Sequence, residues 1–117
     1  MKKTTLKKYA ELVVKTGVNV QKGQEVILTI ALEHKDFAYY ITQECYKAGA
    51  KRVQIEWFDD DIDRLQNKKQ SLETMKDLQS WKIEKYKDMA KRLPCRIYVE
   101  SSDPDVLKGL DQGKITS

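Results

Sequence analysis

Asp59, Asp60, Asp61 and Asp63 form the densest acidic group in the chain, and carboxylates this close could bind a hard cation or share acid–base work. A calcium loop needs a glycine at a set position and a later bidentate glutamate, and neither follows the cluster in register. Capping of a helix start, with carboxylates set against the positive end of the helix dipole, accounts for the group more simply. Arg64 follows Asp61, Asp60 and Asp59 by three, four and five residues, so a local ion pair is expected. His34 is the only histidine, flanked by Glu33 and Asp36. A zinc or two-metal site collects several His, Cys, Asp or Glu ligands, so one histidine among loop carboxylates is read as a helix-start or solvent residue. The same scarcity leaves no Ser-His-Asp or Cys-His set unless His34 serves it, and no GxSxG elbow occurs. Cys45 and Cys95, far apart and each in an apolar pattern, are expected to be reduced and buried. Gln21-Lys22-Gly23-Gln24 has one glycine and precedes a strand, whereas phosphate-cradling loops are glycine-rich and open a helix, so it is a turn. The residues therefore assign no catalytic, cofactor-binding or metal-binding position within this chain.

The elements that must position these residues follow from hydrophobic spacing. Leu6, Tyr9, Ala10, Val13 and Val14 fall on one stripe of a helix ending before Gly17. Glu25 to Leu32 is a nearly unbroken apolar run, as expected of a central strand covered on both faces. Phe37, Ala38, Ile41, Cys45 and Ala48 mark the inner face of a second helix, which Gly49 stops in the left-handed conformation. Val53, Ile55 and Trp57 then alternate with Arg52, Gln54 and Glu56, as a half-buried strand does. Strand, helix and strand make a right-handed βαβ unit with parallel strands. Asp59 to Leu65 begins a short helix beside the C-terminal end of the strand, where open α/β sheets bind ligands. Ser71 to Leu93 is helical, with Leu72, Met75 and Leu78 on one line and Ile83, Tyr86, Ala90 and Leu93 on another. The shift near Trp81 marks a bend or two helices. Pro94 ends the stretch before a third short strand at Cys95, Ile97, Tyr98 and Val99, and Asp103-Pro104-Asp105 has the form of a further helix start. The expected fold is a small three-layer α/β domain, 1–117, with a mainly parallel sheet of about three strands flanked by helices. Of the adjacent rings Trp57 and Phe58, one is expected to face inward and the other to offer an interface.

The 117 residues can own a core, and 40% hydrophobic with 34% charged content is that of a soluble globular protein. The net charge of +4 sits mainly on residues 67–96, but Glu73, Asp77, Glu84 and Asp88 interleave with the lysines. A solvated helix face fits better than a phosphate-binding one, so no nucleic-acid partner is expected. The longest apolar run, Val26 to Leu32, is far short of the ~20 residues a membrane span needs, and the start MKKTTLKK opens no continuous signal-peptide region. No membrane partner and a cytoplasmic location are expected.

A set of residues in order carries a resemblance: Leu6, Tyr9 and Ala10; Gly17, Gly23 and Gln24; Ala48-Gly49-Ala50 with Val53; Trp57, Asp60 and Arg64; and Asp103-Pro104-Asp105 with Leu107, Lys108 and Gly109. Together these resemble the N-terminal domain of the thermophilic metalloaminopeptidases, the group containing aminopeptidases T and S. The resemblance implies a cytoplasmic hydrolase of the metalloprotease class, an exopeptidase releasing N-terminal residues from peptides. It implies two divalent ions, cobalt, zinc or magnesium, that polarise the scissile carbonyl and activate water. The family's metal-binding Glu, His and Asp residues lie in its later portion, so none is carried onto this chain. The expectation is an N-terminal, non-catalytic domain of a longer homodimeric aminopeptidase, inactive by itself and partnered by a C-terminal catalytic domain. Trp57, Phe58, Asp60 and Arg64 are its candidate interface or cavity-lining residues. The alternative is a free-standing α/β binding or adaptor domain without enzyme activity.

Overall fold

The computed structural model describes residues 2–99; the helix start expected at Asp103-Pro104-Asp105 lies outside them. Helix α1 spans Lys3–Leu12 and buries Leu6 and Ala10. It runs on into a π-helical turn, Val13–Gly17, in which the Val18 N–H donates to the Val13 carbonyl at 2.9 Å. The wider turn keeps the adjacent Val13 and Val14 both buried, completing the expected stripe.

Strand β1 (Glu25–Ala31) leads through a 3₁₀ turn at Leu32–His34 into helix α2 (Lys35–Lys47), and strand β2 covers Arg52–Phe58. Gly49 ends α2 at φ 96°, and its carbonyl accepts the Gly23 N–H at 2.8 Å. The Lys51 N–H donates to the Gln24 carbonyl at 2.7 Å. These two bonds tie together the approaches to β1 and β2, so the strands enter the sheet in register, Glu25 beside Arg52 and Ala31 beside Phe58. Helices α3 (Asp60–Lys69), α4 (Leu72–Lys76) and α5 (Ser80–Arg92) follow, then β3 (Cys95–Val99). The helical region expected over Ser71 to Leu93 is thus two helices, broken before Ser80. Leu93 adopts the left-handed conformation, φ 48°, between α5 and Pro94.

The sheet order is β2-β1-β3, all parallel, with β1 central as its apolar run implied. Since β2 and β3 lie on opposite sides of β1, two crossovers of the same hand must place their helices on opposite faces of the sheet. One face is packed as expected: Val26, Leu28, Ile30, Ile97 and Val99 join Leu6, Ala10, Val14, Phe37 and Ile41 in one buried cluster beneath α1 and α2. The other face departs from the expected double cover. Glu25, Ile27 and Thr29 are only half-buried, and α3, α4 and α5 bury no residue at all. The sequence stripes on those helices exist, but they are not spent on the sheet.

Candidate functional site

In a sheet that is wound both ways from a central strand, ligands approach at the C-terminal strand ends, beside the strand where the winding reverses. Here that end is formed by Leu32–His34 after β1 and by the start of α3 after β2. Asp59 is the N-cap of α3, its Oδ2 accepting the Ile62 N–H at 3.1 Å, and Asp60, Asp61 and Asp63 fill the first turn. This is the capping role that the spacing implied, with carboxylates against the positive helix end. The expected ion pair of Arg64 is made with Asp61, Nη1 to Oδ1 at 3.3 Å, and both side chains stand in solvent.

The four candidate residues are divided among different surroundings. Trp57 shares strand parity with Val53 and Ile55, on the side of α1 and α2, yet it is 43% exposed. Phe58 points to the opposite face, half-buried, and stacks on Tyr98 with ring centroids 5.8 Å apart and planes 6° from parallel. Neither ring is fully inward, in contrast to the expected in-and-out pair, because both lie at the end of an edge strand. Asp60 and Arg64 sit on exposed turns of α3. The Phe58–Tyr98 stack reaches over β1 from both neighbours, a juxtaposition set by strand order and therefore invisible to local spacing.

His34 occupies the position before α2, its Nε2 3.7 Å from Glu33 Oε1, and makes no side-chain capping bond there. Among the described residues, no group of three or more His, Cys, Asp or Glu is placed to hold a metal ion. The cysteines are unsuited to nucleophilic work. Burial, with smaller contributions from Cys95 and Glu44, pushes the Cys45 thiol up to about 12, and burial also raises Cys95. Both are free thiols, but Cys95 is half-buried instead of buried, since its strand lies at a sheet edge. A raised thiol pKa stabilises the fold below the ordinary value of 9.0, and that contribution is lost as pH rises towards about 12, because the unfolded thiol ionises first. We expect thiol-reactive dye at pH 8 to label Cys95 before Cys45, with both labelled rapidly only after denaturation. Native labelling of Cys45 at the denatured rate would contradict this burial.

The second sheet face carries a cleft of ≈ 250 Å³ lined by Glu25, Ile27, Arg52, Glu56 and the α5 residues Lys85 and Arg92. Lys85 Nζ reaches Glu56 Oε1 at 3.1 Å, and Arg92 bridges Asp88 Oδ2 at 2.9 Å and Glu25 Oε1 at 3.0 Å. Those two acids, Asp88 first, hold the Arg92 guanidinium above its ordinary range, so it serves as a fixed cation. These pairs were missed by sequence reasoning, although Lys85, Asp88 and Arg92 recur at i, i+3 and i+7 and so mark one helix face.

Comparison with known proteins places this arrangement. The chain is 37% identical over 112 residues to aminopeptidase AmpS of Bacillus subtilis (strain 168), covering 96% of the chain and 27% of that protein. It is 31% identical to aminopeptidase T of Thermus thermophilus, over 97% of the chain and 28% of that protein. The solved structure of wild-type AmpT from Thermus thermophilus superposes with a TM-score of 0.71 at 32% identity, over 96% of the chain and 28% of that structure. The chain therefore spans little more than a quarter of the length of these relatives. Residues 2–117 match the family described as thermophilic metalloprotease (M29), and with that match along nearly its whole length the chain belongs to this family.

Proposed function

We propose that this chain is the N-terminal, non-catalytic part of a longer metal-dependent aminopeptidase that releases N-terminal residues from peptides. The observation that carries the reading is the family match over residues 2–117 together with coverage of only 27–28% of relatives named as aminopeptidases. The donor chemistry is compatible with this reading: the sequence holds a single histidine, and the described residues, with no metal-ligating cluster among them, do not fit a two-ion centre. The two divalent ions, cobalt, zinc or magnesium, belong in this reading to the C-terminal catalytic domain.

Within the parent, a cytoplasmic homodimer, this part shapes access to the peptide-binding cavity and supports assembly. Trp57, Phe58, Asp60 and Arg64, at the C-terminal strand ends, are the residues assigned to cavity lining or domain contact. The decisive experiment is an immunoblot of the source cells with an antibody against this chain, followed by an aminopeptidase assay on the captured product with and without chelator. A much larger species with chelator-sensitive activity is the expected result. An inactive species at 13.6 kDa would overturn it in favour of a free-standing binding domain.

A further inference from the structure

Helix α5 carries its amphipathicity the opposite way from a normal crossover helix. A crossover helix buries its apolar stripe against the sheet it spans. In α5 the sheet-facing residues are Lys85, Asp88 and Arg92 with the half-buried Met89 among them, and the pairs Lys85–Glu56 and Arg92–Glu25 hold that side to the sheet. At 100° per residue, Ile83, Tyr86 and Ala90 lie on the far side of the helix, and Leu93 extends their line. These residues are exposed, Tyr86 at 59% and Leu93 at 79%. An exposed apolar stripe turned outward over an inward side whose only apolar residue is Met89 has the layout of a layer meant to lie between the sheet and a second body.

The flanks of the stripe indicate what that body is. Lys82 borders it on one side and Lys87 and Lys91 on the other; Lys82 lies over the Trp81 ring at 5.5 Å, and Lys87 has only a 3.8 Å contact to Glu84. Two copies meeting through this stripe would bring like charges together, whereas an acidic rim would complement it. Resting on the reading that a longer parent exists, we propose that the outward stripe of α5 docks on the catalytic portion of the same polypeptide, through an apolar patch with an acidic rim. This surface is separate from the C-terminal strand ends that carry Trp57 and Phe58.

The test places a benzophenone photo-crosslinker at position 86 of the full-length gene product, where the exposed side chain can be replaced without disturbing the core. The expected adduct joins position 86 to a peptide beyond residue 117, without doubling the mass on a denaturing gel. The variant with Lys82→Glu, Lys87→Glu and Lys91→Glu is expected to lower the yield of that adduct about tenfold, as acid faces acid. An adduct of doubled mass joined to the same helix of another copy would overturn the proposal, as would a full-length, active product with no adduct at position 86. An unchanged yield in the triple variant would overturn the acidic rim. A product of only 13.6 kDa overturns the parent reading itself and the docking with it, so the two failures are separately visible.

Discussion

Phe37→Ala should lower the stability of the chain by about 3–5 kcal/mol, the usual cost of emptying a buried aromatic site. Phe37 is 1% exposed and is among the largest fully buried side chains. Its weight comes from the asymmetry of the fold. The buried cluster lies on one face of the sheet, between the strands and α1 and α2, and the layer on the other face buries nothing that could compensate. Against a total stability of about 5–15 kcal/mol, such a loss removes a large fraction of the folded population's margin. Urea unfolding followed by far-ultraviolet circular dichroism should show the midpoint fall by about 1–5 M. Phe58→Ala, removing a half-buried ring from the other face, should move it much less. Equal shifts for the two would contradict a one-sided core.

Gly49→Ala is expected to destabilise by about 2–4 kcal/mol, and Gly23→Ala by about 1–2 kcal/mol. Both glycines have positive φ, 96° and 84°, so both substitutions carry backbone strain. The difference is space. A Cβ on Gly49 would sit 3.0 Å from the Lys22 Cα, a backbone atom that moves only with its turn, whereas a Cβ on Gly23 meets nothing within 4 Å. The Gly49 carbonyl also accepts the Gly23 N–H, so displacement there disturbs the bonds that bring β1 and β2 into register. The same urea series measures both variants, and a Gly23→Ala loss as large as that of Gly49→Ala would sink the assignment of the excess to crowding against Lys22.

The half of the fold that buries its stripes was open to sequence reading. Leu6 and Ala10 on α1, Val13 and Val14 in the π-helical turn that continues it, and Phe37, Ala38, Ile41 and Cys45 on α2 are buried where their spacing put them. The apolar run of β1 marked the central strand, although it ends at Ala31 and leaves Leu32 exposed. Residues 60–92 were harder for a physical reason. Spacing shows which side chains share a face of a helix, but the direction in which that face turns is decided by tertiary contacts. Ile83 and Tyr86 were correctly placed on one line, and only the pairs Lys85–Glu56 and Arg92–Glu25 show that this line looks away from the sheet. At the candidate site, the capping by Asp59 and the pair Arg64–Asp61 are local and were legible. The Phe58–Tyr98 stack joins strands that are not neighbours, so it required the sheet order.

The span between Phe58 and Cys95 joins two strands of the sheet without contributing one fully buried side chain. In polymer terms the connections between α3, α4 and α5 are tethers, and the entropy of closing a flexible tether grows only with the logarithm of its length. Doubling or halving it shifts the folding free energy by roughly 0.6 kcal/mol. The sheet is therefore nearly indifferent to how long those connections are, while α5 itself is held to it by Lys85–Glu56 and Arg92–Glu25. Insertions and deletions can accumulate here over evolution with little thermodynamic penalty, and what limits the span is the distance it must reach and the surface it must meet.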